Sequence, residues 1–154
     1  MTVLFAYLFL ALFVSFLCSI TESVLLSVQP SFLMSQDKKE RGWAKSFLEL
    51  KTNIDRPLSA ILSLNTVAHT IGAAGVGVQA VKVFGAASFG IVSVILTVLI
   101  LVITEIIPKT IGASYWRNLS MISYFIIKGM IFLTYPLVTM SVIITRMISK
   151  NNND

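Results

Sequence analysis

Several polar side chains stand inside long apolar stretches of this sequence, and their types restrict the chemistry open to them. Ser15, Ser19, Glu22, Ser23 and Ser27 recur at spacings of three and four, so a helix gathers them on one face. Ser63, Asn65 and His69 form a second group, and Thr97, Thr104 and Glu105 a third. Pooled, they offer two carboxylates, an amide oxygen and several hydroxyls. That hard, oxygen-rich set suits Mg2+, Ca2+ or Na+ and suits soft metals poorly. Two carboxylates match the charge of a divalent cation.

Plainer roles compete with this one. Membrane serines and threonines pack helices together, and Asn65 can bond one helix to another. Glu105 precedes Lys109 by four residues, the favourable order for a helical ion pair. Glu22 has no basic residue near it in sequence, and an unpaired carboxylate in apolar surroundings is costly unless protonated. His69 has neither a second His nor a suitable Cys to complete a metal site, which favours a packed or hydrogen-bonded histidine. Paired with Ser19 it would form a dyad with no third partner to orient it. No His-Glu-x-x-His or paired-aspartate pattern occurs, so the chain reads as a non-enzyme. The run IGAAGVGVQA, with the small pairs Ala68/Gly72 and Ala73/Gly77, suits close helix approach and lacks the context of a nucleotide loop.

The elements that must position these groups are membrane helices. Of 154 residues 56% are hydrophobic and 12% charged, with mean hydropathy +0.86, which excludes a soluble domain and a disordered tail. A net charge of +5, thinly spread, does not make a nucleic-acid surface; in a membrane protein it sets orientation. Cys18 is the single cysteine, so no intramolecular disulfide forms. Spans are expected at 2–28, 57–81 and 83–107, each close to the roughly 20 apolar residues a bilayer requires. No Lys or Arg precedes the first apolar run, and Phe16-Leu17 before Cys18 makes a poor lipidation box, so this span reads as a retained helix rather than a leader.

Residues 31–56 hold six of the twelve basic and four of the seven acidic residues and read as short interfacial helices, about 31–55. Together with Lys109 and Arg117 they mark the cytoplasmic side, which leaves the N-terminus outside and the C-terminus inside. The stretch 119–147 is apolar enough for a fourth span, but Lys128 lies within it and Pro136 breaks its ladder. A bent helix along the inner interface lets Lys128 reach water and is the preferred reading. Because the helices alternate in direction, Glu22 lies about 9 Å and Asn65 about 12 Å from the same membrane face. With Glu105 near the inner end of the third span, the polar groups can converge on one site.

Three pieces on three successive spans then carry a resemblance. Ser19-Ile20-Thr21-Glu22, Leu62-Ser63-Leu64-Asn65-Thr66 and Thr104-Glu105-Ile106-Ile107-Pro108-Lys109 resemble the transmembrane domain of the cyclin M and CorB/CorC family, over nearly the whole chain. The Glu-x-x-Pro-Lys end of the third span is the most specific element.

The resemblance implies an all-α integral membrane fold: a homodimer of three-span subunits with short cytoplasmic helices and a juxtamembrane belt, about 116–148. It implies Mg2+ transport, usually described as Na+-coupled export, in a prokaryotic plasma membrane. It places the ion-site serine on Ser19, the asparagine on Asn65 and the glutamate on Glu105. Glu22 matches an acidic position of many prokaryotic members, whereas Ser23 and Ser63 are added on spacing alone. Ile20, Leu64 and Thr104 stand where many relatives carry Gly, and His69 where many carry Asn. Relatives usually continue into a nucleotide-binding CBS-domain pair; none lies within residues 1–154, so an excised membrane domain or a minimal member is expected. The competing reading is a non-transporting ion sensor or dimeric anchor for cytoplasmic domains.

Overall fold

The computed structural model describes residues 2–38, 42–140 and 143, and among them every regular element is helical. Helix α1, Thr2–Ser27, is uncharged except for Glu22. It stops where Pro30 forbids continuation, with Gln29 extended and the proline ring opening α2, Pro30–Asp37. Helix α3, Gly42–Thr52, follows, then α4, Asp55–Phe84. Asp55 at the start of α4 and Lys82 at its end both complement the helix dipole.

The second turn falls later than the sequence pattern suggests. The second span was expected to end at 81 and the third to begin at 83, but α4 continues to Phe84 and the chain reverses at Gly85, whose φ of 86° favours glycine. A 3-10 turn, Ala86–Ser88, leads into α5, Phe89–Leu99. The same rod continues through a π-helical stretch, Ile100–Ile106, into α6, Ile107–Ser114. Pro108 accounts for the irregularity. It has no N–H to give the Thr104 carbonyl and its ring would collide with that carbonyl in a regular helix. The ladder widens instead, the Ile107 N–H reaching back five residues to the Val102 carbonyl.

Among the described residues, three helices are long and apolar enough to cross a membrane: Thr2–Ser27, Asp55–Phe84 and Phe89–Ser114. Most of their apolar surface faces outward, as lipid contact demands. Glycines let them approach closely: a Cβ at Gly75 would lie 2.6 Å from the Tyr7 ring, and one at Gly112 would lie 2.8 Å from the Ile20 carbonyl oxygen.

The main apolar core sits at one end of the bundle, where α1 ends and α4 begins. Leu25, Val28, Leu33, Phe47, Ile61 and Ile127 meet there with almost no exposure. Helix α7, Trp116–Leu133, closes this end, with Ser123, Tyr124, Ile127, Met130 and Ile131 turned inward and Lys128 exposed. Phe47 packs on Tyr124 with ring centres 6.0 Å apart, and Phe32 meets Trp116 edge to face at 5.2 Å. Lys51 of α3 donates to the Leu25 and Leu26 carbonyls, both at 2.9 Å, so an ammonium caps the C-terminus of α1. Burial lowers its pKa from the ordinary lysine value. The helix breaks at Thr134, two residues ahead of Pro136, and is helical again over 135–140. The C-terminal part of the expected belt, beyond 140, lies outside the described residues except Ile143.

Gly112→Val places side-chain atoms against Ile20 and Ser23, and overpacking of this kind costs about 1–3 kcal/mol. A lowered melting midpoint of the detergent-solubilised protein, followed by tryptophan fluorescence, is the expected result.

Candidate functional site

The crossing of α1 with α4 and with the π-helical stretch and α6 gathers polar groups from all three spans. Asn65 is its hinge. The Ser15 Oγ donates to Asn65 Oδ1 at 2.8 Å, and Asn65 Nδ2 donates to Glu105 Oε1 at 3.2 Å. Glu105 Oε2 pairs with Lys109 Nζ at 2.9 Å, and the same ammonium lies 3.6 Å from Glu22 Oε2. Ser15 also contacts His69 Nε2. The Ser15 hydroxyl thus links Asn65 to His69. A continuous polar chain therefore runs His69, Ser15, Asn65, Glu105, Lys109, Glu22.

The expected ligands fall as follows. Ser19 lies between Ser15 and Glu22 on the same face of α1; it is fully buried and its Oγ has no hydrogen-bond partner. Ser23 is buried and donates to the Lys109 carbonyl at 2.7 Å, tying α1 to α6. Glu22, Asn65 and Glu105 belong to the chain of contacts just described. Ser63 does not. It is half-buried and takes no part in these bonds, because residues two apart on a helix point in different directions. Thr97 is exposed and bonds back to the Ser93 carbonyl, since the π-helical stretch shifts the register between it and Glu105. Thr104 is buried, its hydroxyl bonded to the Ile100 carbonyl.

Two features were hidden from sequence reasoning. Glu22 is paired after all, by a lysine 87 positions away that its sequence neighbourhood gave no reason to consider. His69 is hydrogen-bonded, as its lack of metal-ligand partners suggests, and the group it meets is Ser15. The signal for Ser15 was present in the serine spacing; nothing local pointed to Lys109 reaching α1.

Among the described residues no group of three or more His, Cys, Asp or Glu side chains could hold a metal. Beside the two carboxylates, the crossing offers the hydroxyl of Ser19 and the amide oxygen of Asn65 as neutral oxygens. Such a neutral-oxygen supplement belongs to hard cations.

Comparison with known proteins bears on this arrangement. The family model for the cyclin M transmembrane N-terminal domain matches residues 6–154. The chain belongs to this family. The UPF0053 protein sll1254 of Synechocystis is 31% identical over 86% of this chain and 38% of its own length. A UPF0053 protein of Haemophilus influenzae is 30% identical over 95% of the chain and 35% of its own. The UPF0053 inner membrane protein YfjD of Escherichia coli is 28% identical over 84% and 30%. The chain thus spans about a third of the length of these relatives. Its three apolar helices and its family make it an integral membrane protein of the CorB/cyclin M type.

Ser15→Ala would leave Asn65 Oδ1 and His69 Nε2, both partly buried, without their shared partner, at a cost of about 1 kcal/mol or more. Thermal unfolding in detergent measures this; a change within about 0.5 kcal/mol, the range of neutral substitutions, would show that Ser15 does not fix the Asn65 amide.

Proposed function

We propose that the chain carries Mg2+ across the membrane, in Na+-coupled export, through a site of Ser19, Glu22, Ser23, Asn65 and Glu105, with Ser63 at its margin. The observation that carries this reading is the orphaned Ser19 hydroxyl, buried on the same helix face as Glu22, within a bundle that brings Asn65 to Glu105. Mg2+ parts with its water only where oxygens at about 2.0–2.1 Å replace it. A bound divalent ion neutralises both carboxylates and lowers the cost of burying them. Na+ is a second ion for the same oxygens once Mg2+ has left.

The site faces the cytoplasm in this proposal. It lies toward the bundle end that also carries Lys38, Lys45, Lys51, Arg56 and Arg117, and basic residues concentrate on the cytoplasmic side. The N-terminus is then outside, in a prokaryotic plasma membrane, with α7 lying along the inner interface and Lys128 turned to water. Two copies form the working unit. Small residues and exposed apolar faces on the spans are available for such pairing.

The ion-sensor or anchor reading draws on a specific contact, because Lys109 already pairs with both carboxylates and offsets half of their charge. Flux separates the two. In sealed liposomes containing only this chain, an internal Mg2+ dye should report transport by the parent protein. Loss of a charged ligand is worth about 1.5–3 kcal/mol, so Glu105→Gln should reduce the rate about tenfold or more. Flux no faster than through empty liposomes, with binding retained, would discard transport in favour of sensing.

A further inference from the structure

The ammonium of Lys109 stands where a bound cation would act, between a carboxylate of α1 and one of the π-helical stretch. We propose that Lys109 is a tethered counter-cation that Mg2+ must displace, so that it holds the empty site together and sets its apparent affinity. This inference rests on the ion-site reading above.

Charge arithmetic favours exchange over coexistence. Glu22 and Glu105 with Lys109 sum to one negative charge, and adding Mg2+ beside the lysine would leave one positive charge in a low-dielectric bundle. Replacing the ammonium by Mg2+ leaves none. Like charges a few ångströms apart repel strongly where water is scarce.

The geometry allows the exchange. The Lys109 side chain is 46% exposed, against 17% for Glu22 and 23% for Glu105, so its flexible stem already has a route to water. Its backbone is pinned independently, by the Ser23 bond to its carbonyl and by the close seat of Gly112 against α1. The ammonium can therefore leave without the helix moving. Asn65 is set in the same self-satisfied state: its amide N–H faces Glu105 and its oxygen is held by Ser15. Offering that oxygen to a cation shared with Glu105 requires the amide to turn over. Lysine release and amide rotation together convert a site filled by its own donors into one that presents oxygens.

The test is Mg2+ titration of the purified full chain at pH 8, by calorimetry and by melting midpoint, for the parent, Lys109→Gln and Lys109→Arg. Removing the competitor should tighten apparent Mg2+ affinity in Lys109→Gln about fivefold or more, the low end of ordinary coupling between competing ligands. Lys109→Arg, whose planar fork grips carboxylates more firmly, should bind Mg2+ more weakly than the parent. Binding by Lys109→Gln alone also supports displacement. If the parent binds Mg2+ and Lys109→Gln binds no tighter, the lysine idea fails while the ion site survives. If neither protein binds, both readings fail. Should Lys109→Gln not fold, Lys109→Arg decides: affinity equal to or above the parent overturns the proposal.

Discussion

Charge balance in a medium that cannot solvate charge is the constraint on which this bundle is built. Two carboxylates, Glu22 and Glu105, lie on different membrane helices, and one ammonium from Lys109 reaches both. An isolated charge in apolar surroundings is expensive, and pairing offsets part of that cost. The pairing therefore dictates how close α1 and α6 must run. Gly112 supplies the room, because any side chain there would strike the Ile20 carbonyl and Ser23. Ser23 then closes the contact with a bond to the Lys109 backbone.

The third span is shaped by the same need. Pro108 sits one residue before Lys109 and deprives the ladder of a donor, and the π-helical widening from Ile100 to Ile106 absorbs the defect. Glu105 lies within that stretch, so the irregular segment and the charged segment coincide. Departures from regular helix in a membrane are tolerated where protein covers them, and Thr104 within the stretch is wholly buried. At the basic end, the short helices, α7 and the Lys51 cap hold the C-terminus of α1 and the N-terminus of α4 in a dense apolar core. Among the described residues the opposite half of the bundle has no comparable core and leaves most of its apolar side chains exposed. Dense packing is thus concentrated next to the polar chain.

Much of this was legible in the sequence, for a physical reason. Span number follows from bilayer thickness, and hydrophobic runs of the required length can be counted directly. The three-helix count, the basic segment between the first two spans and the identity of the polar residues all come from composition and period. The motifs Ser19–Glu22, Asn65 and Glu105–Lys109 also sufficed to place the chain beside the cyclin M family, as the family comparison shows. The turn between the second and third spans was misplaced by a few residues because apolar side chains run through it. Only the positive φ of Gly85 marks the reversal, and Gly85 is one of several glycines in that region.

Which polar groups touch was settled by tertiary structure alone. Helical period assigns residues to faces but not the rotation or depth of one helix against another. His69 bonds to Ser15, and period alone does not choose between Ser15 and Ser19, one turn apart on the same face of α1. Ser63 and Asn65 looked equivalent as neighbours in sequence, yet only Asn65 turns to Glu105. The pairing of Glu22 with Lys109 joins the first and third spans across 87 positions, a distance over which no local pattern carries information. The sequence by itself determined the kinds of oxygen and charge available and the membrane in which they sit. The packing of α1 on Gly112, Gly72 and Gly75 decided which of them meet, because close approach of the backbones sets the register to within one helical turn.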